Sequence, residues 1–412
     1  MSTVPLPASR ENPQQARAWP AVAWEELPWR SSYPPELLSR SVREELSRPY
    51  RASVPPEIAE LDVRLPRAVA AEAEEASALV REFDAEVGAV VAPFGAILLR
   101  SESASSSEIE NLTSGAKQIA LAELGESARQ NATQIVGNVA AMRAAVELSD
   151  RLDTASVLAM HRALLEHTEP AIAGRWRDQQ VWIGGGGYSP HRAAFVPPAA
   201  QRVPGAMADL VAFVARADVP ALAQAALAHA QFETIHPFPD GNGRTGRALV
   251  HAMLRARGLT RSVTVPVSAG LLIDTDGYFD ALTAYRAGDP APIVGSLATA
   301  CGHAVVNGRV LVGELREVRE SWAAAVRARR DATVWPLMDL VLRHPVVNTA
   351  VVQAELDVSH TNAMKAITRL VEIGALTEVG GRRRSILWQS GQVLAALDAF
   401  AARAGRRRPA GD

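Results

Sequence analysis

Over most of the chain, apolar residues recur at the three- and four-residue spacing that places them on one face of an α-helix. The pattern is strongest between residues 67 and 168, where AVAAEAEEASALVREFDAEV and ATQIVGNVAAMRAAVEL are also rich in Ala, Leu and Glu. The same spacing predicts further helices over 204–217, 220–235, 243–257, 277–287 and 290–330. A mainly α-helical fold is therefore predicted.

Two stretches break this helical pattern. Residues 1–66 contain many prolines and short apolar patches, which indicates an N-terminal Pro-rich arm with short helices that packs on the following core. Between 174 and 198, Val181-Trp182-Ile183, four glycines, Phe195-Val196 and two prolines are typical of a small β-hairpin or flap.

The last eighty residues follow a different pattern. VVQAELDVSHTNAMKAITRLVEIGAL, followed by TEVGGRRRSILW, predicts helix, tight turn, helix and a two-stranded hairpin. Ser359 is suited to the N-cap of the second helix and Gly374 to its C-terminal stop. The order indicates a winged helix-turn-helix domain over 334–400, with 401–412 as a basic tail.

Composition excludes some classes of protein. The 412 residues carry 43 Lys and Arg against 45 Asp and Glu, a formal net charge of -2, which excludes a uniformly basic nucleic-acid coat but not a local basic patch. The one cysteine, Cys301, forms neither an intrachain disulfide nor a cysteine zinc cage and favours a reducing compartment. With no long apolar run and a polar N-terminus, we expect a cytoplasmic protein without a membrane segment.

The segment FETIHPFPDGNGRTGR, residues 232–247, carries the richest chemistry. It predicts a loop between two helices, in which Gly241 and Gly243 let the backbone approach a ligand closely. Backbone N–H groups at the start of the second helix attract anions. Arg244 and Arg247 are three residues apart, share a helix face and can clamp phosphate oxygens. The segment therefore predicts a polyphosphate-binding site.

Two other side chains of this loop have chemistry that suits a nucleotide. Asp240 offers a hard oxygen ligand for Mg²⁺, which keeps waters and substrate phosphates in its remaining positions. His236 can accept the proton of a hydroxyl group, because histidine changes charge near neutral pH.

The run from His236 to Arg247, HPFPDGNGRTGR, resembles the complete Fic-family motif H-x-F-x-(D/E)-G-N-G-R-x-x-R. It matches the adenylylating version in full, whereas the related Doc toxins differ at the glycines. Arg175 and residues 181–198 resemble the family's flap, and residues 277–289 resemble its downstream helix. The resemblance covers roughly residues 60–310 and implies a Fic-type helical catalytic core over 169–330.

What the resemblance implies is transfer of AMP from ATP to a Ser, Thr or Tyr hydroxyl of a target protein, with ATP and Mg²⁺ as cofactors. By the same resemblance, His236 is the base, Asp240 the Mg²⁺ ligand and Phe238 the anchor that holds the loop on the core. The nucleotide-binding residues that it implies are Gly241, Asn242, Gly243, Arg244, Gly246, Arg247 and Tyr278. Arg247 takes the γ-phosphate, while Tyr278 is either an adenine contact or an exposed packing residue.

A second motif bears on regulation. Ser106 to Asn111 fits the family's inhibitory pattern (S/T)-x-x-x-E-(G/N), which implies an inhibitory helix near 105–115 within the helical region 67–168. Glu110 then pairs with Arg247 and competes with the γ-phosphate. The residues alone allow another interpretation: Ser105-Ser106-Ser107 followed by Glu108 and Glu110 has the form of a helix start with capping boxes.

Other functions stay open on the sequence. The same site would serve a hydrolase that removes AMP if Glu110 orients a water molecule. A DNA-binding regulator with a nucleotide-sensing Fic domain is the third hypothesis; its recognition helix would present His360, Thr361, Asn362, Lys365 and Arg369, with the wing arginines 382–384 on phosphates. The winged helix also suits docking or homodimer formation.

Overall fold

A computed structural model describes residues 19–30, 34, 39–89, 93–127, 129–185, 189–379 and 386–405. It is mainly helical, as predicted. Within these ranges, none of the helices has the length and apolar character needed to cross a membrane. The helices before the C-terminal region are α1 (Arg40–Leu46), α2 (Arg67–Gly88), α3 (Pro93–Ile109), α4 (Ala116–Glu123), α5 (Gln130–Glu147), α6 (Thr154–Leu165), α7 (Val203–Val214), α8 (Ala221–Ile235), α9 (Asn242–Ala256), α10 (Val267–Leu271), α11 (Thr275–Arg286) and α12 (Ala291–Ala325).

Helix α8 lies at the centre of the core. Every residue from Leu222 to Ile235 is buried, because neighbouring helices cover this alanine-rich helix on all sides. It packs against α7, α9, α11, α12 and α2. A helix enclosed in this way is a rigid support for the loop that follows it, which carries the predicted polyphosphate-binding site.

The N-terminal region contains a sheet that the sequence did not indicate. Strand β1 (Ala23–Leu27) pairs antiparallel with β2 (Tyr50–Val54), and Ser53 N donates to Val196 O at 2.9 Å. The region predicted as a flap pairs at a single bridge, Ile183 with Phe195; residues 186–188 at its glycine-rich tip lie outside the described ranges. The N-terminal hairpin and the flap therefore pack together.

The segment 105–111 ends a helix and does not begin one. Helix α3 runs to Ile109, and Asn111 has a left-handed φ of 62°. Serines are tolerated inside this helix because Ser103 Oγ and Ser107 Oγ donate to the carbonyl oxygens of Leu99 and Ser103. The prediction of a helix near 105–115 was wrong in its bounds, and the capping-box interpretation was wrong because the serines lie within the last turns.

The C-terminal region has the predicted winged order. Its helices and strands are α13 (Val334–Arg343), β3 (Val346–Asn348), α14 (Thr349–Leu356), α15 (His360–Glu372), β4 (Thr377–Val379), β5 (Leu387–Gln389) and α16 (Gly391–Ala404). Ser359 Oγ accepts from Asn362 N at 3.3 Å as an N-cap, and Gly374, just beyond the helix end, has a φ of 73°.

Two details of this region differ from the prediction. The sheet has three strands in the order β3-β5-β4, because the segment before α14 pairs with β5. Residues 401–404 continue α16 and are not part of a tail. The wing arginines 382–384 and the basic residues 406–408 lie outside the described ranges.

Helix α3 connects the C-terminal region to the core. Arg100 on α3 forms an ion pair with Glu123 of α4 at 2.8 Å, and both side chains are largely buried. The same guanidinium donates to the carbonyl oxygen of Arg343 at the end of α13. Helix α3, which ends beside Glu110, is therefore fixed by contacts with both α4 and α13.

Candidate active site

The predicted loop follows the last residue of α8. His236 caps this helix in a left-handed conformation, with φ 49° and ψ 63°, and its N–H donates to Phe232 O at 2.8 Å. Gly241 is also left-handed, with φ 74°, and α9 begins at Asn242. A left-handed residue other than glycine costs about 1 kcal/mol and persists only where its surroundings fix it.

Phe238 anchors the loop. Its ring is fully buried and stacks on the His161 imidazole, with centroids 3.6 Å apart and planes 4° apart. The side-chain amide of Asn242 accepts from Phe238 N at 2.8 Å and donates to Phe238 O at 2.9 Å. The Asn242 side chain is therefore engaged in bracing the loop from within.

His161 was not identified from the sequence. Gly174 N donates to its Nδ1 at 3.0 Å, so Nδ1 is the acceptor and Nε2 carries the proton donated to Asp240 O at 3.0 Å. Burial lowers the pKa of His161 to about 4, although the Asp240 carbonyl acts in the opposite direction. The neutral imidazole thus holds the loop backbone beside Asp240.

This imidazole predicts a loss of stability in mild acid. The folded protein takes up the proton near pH 4, whereas an unfolded histidine takes it up near 6.5. The stabilisation is complete above about pH 6.5 and is lost as the pH falls toward 4, by about 2 kcal/mol between about pH 7 and about pH 5. Urea denaturation across this range checks it against His161→Phe, which should lack this part of the pH dependence; parallel curves would contradict the assignment.

Arg177 was also not identified from the sequence. Its buried guanidinium donates from Nε to His236 O at 2.8 Å, and also to the carbonyl oxygens of Ile235, Gln179 and Pro198. Burial lowers its pKa to about 10. The side chain neutralises the carbonyl end of α8 and fastens the segment leading to the flap onto the His236 loop.

Removing this guanidinium is expected to destabilise the protein. Arg177→Met leaves several buried carbonyl oxygens without a donor and should lower the free energy of unfolding by roughly 3 kcal/mol. Arg175→Met is the matched control, because Arg175 is exposed, and should change that free energy by less than about 0.5 kcal/mol. Equal losses in the two variants, measured by chemical denaturation, would refute the role given to Arg177.

His236 lies beside the buried carboxylate of Glu233. Its Nδ1 is 3.7 Å from Glu233 Oε2, and its side chain is 20% exposed. Burial acts to raise the pKa of Glu233, but the His236 contact and the positive charges of the site outweigh burial and hold that pKa at about 2. An ionised carboxylate therefore faces one nitrogen of a ring that solvent can reach.

Two arginines face the loop from α9. Arg244 donates to Asp240 Oδ2 at 3.0 Å, while its Nε and Nη1, both buried, have no hydrogen-bond partner among the residues that the structure describes. Arg247 donates to Ser106 Oγ at 2.9 Å, to Ser106 O at 2.7 Å and to Glu110 Oε1 at 2.9 Å. Burial acts to lower the pKa of Arg247. The nearby negative charges outweigh burial and raise this pKa above its usual value, and the Glu110 carboxylate is the largest contributor among them.

The glycines of α9 are required by close contacts. A Cβ at position 243 would overlap the Glu110 carboxylate, so this carboxylate lies directly on the backbone of the first turn of α9. A Cβ at 246 would come within 2.9 Å of the Phe232 ring and 3.1 Å of Glu233. Gly243 thus leaves room for an anion, whereas Gly246 allows α9 to pack closely on α8.

Tyr278 lies beneath the site. Its side chain is 2% exposed, and its hydroxyl is 2.7 Å from His229 Nε2. The sequence left open an adenine contact or an exposed packing residue, and the structure places the ring in the core. Burial raises the pKa of its hydroxyl. Tyr278 therefore packs against α8, the helix that precedes the loop.

Asp240 is the acid available for a metal ion. Its side chain is 53% exposed, and it is not part of a larger ligand set: no group of three or more His, Cys, Asp or Glu suited to a metal occurs among the described residues. A single carboxylate oxygen fits Mg²⁺ that brings phosphate and water ligands with it. It does not fit a metal held by protein side chains alone.

Comparison with known proteins agrees with this site. Residues 151–254 match the Fic/DOC family model, and 335–389 match a model described as HTH DNA binding domain. The first match contains the whole 236–247 loop, together with His161 and Arg177. The chain thus contains a Fic/DOC domain, which confirms the family resemblance drawn from the sequence.

Particular relatives are similar over part of their length. Protein adenylyltransferase fic-1 of Caenorhabditis elegans is 29% identical over 178 residues, 41% of this chain and 32% of the relative. Protein adenylyltransferase Fic of Nematostella vectensis is 31% identical over 152 residues, 36% of this chain and 32% of the relative. The matches thus span about a third of these relatives. A solved Fic family protein from Desulfovibrio desulfuricans G20 has a TM-score of 0.49 at 19% identity, over 80% of this chain and 98% of that one.

Proposed function

We propose that this protein transfers AMP from ATP to a Ser, Thr or Tyr hydroxyl of a target protein, and that Glu110 holds this activity back. One observation carries the proposal: the Glu110 carboxylate lies on the backbone of Gly243 and bonds to Arg247. The carboxylate that follows α3 therefore lies where the start of α9 and a guanidinium favour negative charge. The similarity to two protein adenylyltransferases supports the same activity.

The phosphates of ATP find their donors at the start of α9. Backbone N–H groups of residues 241–243 supply part of the cradle, and the unpartnered Nε and Nη1 of Arg244 supply more. Arg247 takes the γ-phosphate once Glu110 has left. Asp240 would hold Mg²⁺, which neutralises phosphate charge when it is bound.

His236 removes the proton from the attacking hydroxyl. The hydroxyl oxygen forms a bond to the α-phosphorus, the bond from that phosphorus to the bridging oxygen of the β-phosphate breaks, and pyrophosphate leaves. The proton stays on the His236 imidazole, whose positive charge the buried Glu233 carboxylate stabilises. Positioning and charge neutralisation account for the remaining acceleration.

Control follows from competition for Arg247. Glu110 and the γ-phosphate need the same guanidinium, so the γ-phosphate of ATP cannot bind to Arg247 while the Glu110 carboxylate is bound there. Protein incubated with Mg²⁺ and ATP labelled at the α-phosphate tests the proposal: label should enter Glu110→Gly protein faster than wild type. Equal labelling of the two proteins would remove the inhibitory role.

A second function is favoured by the C-terminal region, namely recognition of duplex DNA through α15. This helix buries Ala363, Ala366, Ile367 and Leu370 and exposes the opposite polar face. Asn362, Lys365 and Arg369 lie on that face, where a recognition helix meets base edges and phosphates. The match of 335–389 to a DNA-binding family supports it.

A further inference from the structure

The linker 326–333 between α12 and α13 lies along the exposed side of α15. Arg369 of α15 donates to Arg327 O, and Trp335 Nε1 donates to Arg329 O at 2.7 Å. Both bonds hold backbone carbonyl oxygens of the linker. Its backbone is therefore fixed beside the proposed recognition helix, and the side chains of Arg327, Arg329 and Arg330 are exposed.

An open cleft separates this linker from α15. Its volume is about 470 Å³, and the residues with polar side chains in its lining include Arg329, Asp331, Thr333, Asn362, Lys365 and Arg369. The walls thus come from two parts of the chain. One wall is the polar face of α15, and the other is the linker, which lies outside the residues matched to the DNA-binding family.

Positive charge dominates the cleft and its rim. Arg327, Arg329 and Arg330 of the linker are exposed, as are Lys365 and Arg369 of α15. Within the described parts of the chain, none of these five side chains forms an ion pair with a carboxylate. Asp331 offsets one of the five charges. Exposed, unpaired cations on both walls suit a polyanion with closely spaced charges.

We propose that the linker arginines Arg327, Arg329 and Arg330 bind the phosphate backbone of duplex DNA whose groove is occupied by α15. The proposal rests on the second proposed function. It extends the proposed DNA-binding surface beyond the helix-turn-helix itself, to the junction with the long core helix α12. Lys365, at the centre of the exposed face, then contacts the groove, while the linker follows the adjacent strand.

Salt dependence of binding tests the linker directly. The full-length protein is titrated into a fluorescein-labelled, mixed-sequence duplex at several salt concentrations, and the slope of log K against log salt is measured by anisotropy. The double variant Arg329→Gln/Arg330→Gln should lower this slope by about 2, since each lost phosphate contact removes about 0.9. The control Arg67→Gln/Arg81→Gln removes two exposed arginines of α2 and should leave the slope unchanged.

The outcomes separate the linker from the helix. If Lys365→Gln weakens binding while the linker double variant keeps the wild-type slope and affinity, the linker proposal is overturned and recognition by α15 stands. If the wild-type protein binds no duplex at any salt concentration, both are overturned. Incorporation of AMP by the linker variant in a Glu110→Gly background should equal that of Glu110→Gly alone, which keeps failure here distinct from failure of the transferase proposal.

Discussion

Glu110→Gly is expected to raise the rate of AMP incorporation about ten- to a hundredfold over wild type. The variant removes the carboxylate that bonds to Arg247 at 2.9 Å and covers the Gly243 backbone. A charge-assisted hydrogen bond contributes about 1.5–3 kcal/mol, and each 1.4 kcal/mol corresponds to about a tenfold change in an equilibrium constant. The rate is measured with α-labelled ATP and Mg²⁺ at limiting nucleotide, where the competition is strongest.

A matched variant separates this effect from loss of any acid. Glu126 follows the end of α4 much as Glu110 follows the end of α3, and no ion pair joins it to another described residue. Glu126→Gly should label at the wild-type rate. Ser106 stays in both proteins and keeps its bonds to Arg247, so the guanidinium remains in place. Similar activation of the two variants would show that Glu110 does not act through Arg247.

His236→Ala, introduced into the Glu110→Gly protein, is expected to reduce AMP transfer by about a hundred- to ten-thousandfold, the range of general acid–base catalysis. The proposed phosphate donors lie at the start of α9 and are unchanged, so the affinity for ATP should stay within about threefold of the parent protein. Initial rates of labelling and calorimetric titration with ATP measure the two quantities separately.

The control for this variant is an exposed histidine outside the site. His303 lies on α12 and is exposed, so His303→Ala in the same background should keep both rate and affinity. A loss of ATP binding in His236→Ala that equals the loss of rate would contradict the role of His236 as a base. It would indicate instead that the imidazole shapes the loop.

The sequence predicted the mainly helical fold because periodic apolar positions report directly on helix faces. It predicted the loop between two helices because the breaking residues and the charges of residues 236–247 are contiguous. Phe238 was expected to anchor this loop, and the structure buries it. The roles of the loop residues in binding and catalysis, and the division of the chain into domains, stay predictions.

Other features depend on contacts between distant parts of the chain. His161 and Arg177 hold the loop from 59 to 79 residues away in sequence, and neither stands in a recognisable motif. The serines at 105–107 have the composition of a helix start, yet tertiary packing buries them in the last turns of α3. Pairing of β1 with β2 likewise depends on contacts that local spacing does not reveal.

The central claim is that the 236–247 loop seats ATP so that its α-phosphate is transferred to a protein hydroxyl. The most direct measurement incubates the Glu110→Gly protein with Mg²⁺ and with ATP labelled either at the α-phosphate or at the γ-phosphate, followed by mass spectrometry of the modified peptide. The account predicts label from the α-phosphate alone and a mass increase of one AMP on a Ser, Thr or Tyr side chain. Label from the γ-phosphate, or no label in either experiment, would contradict it.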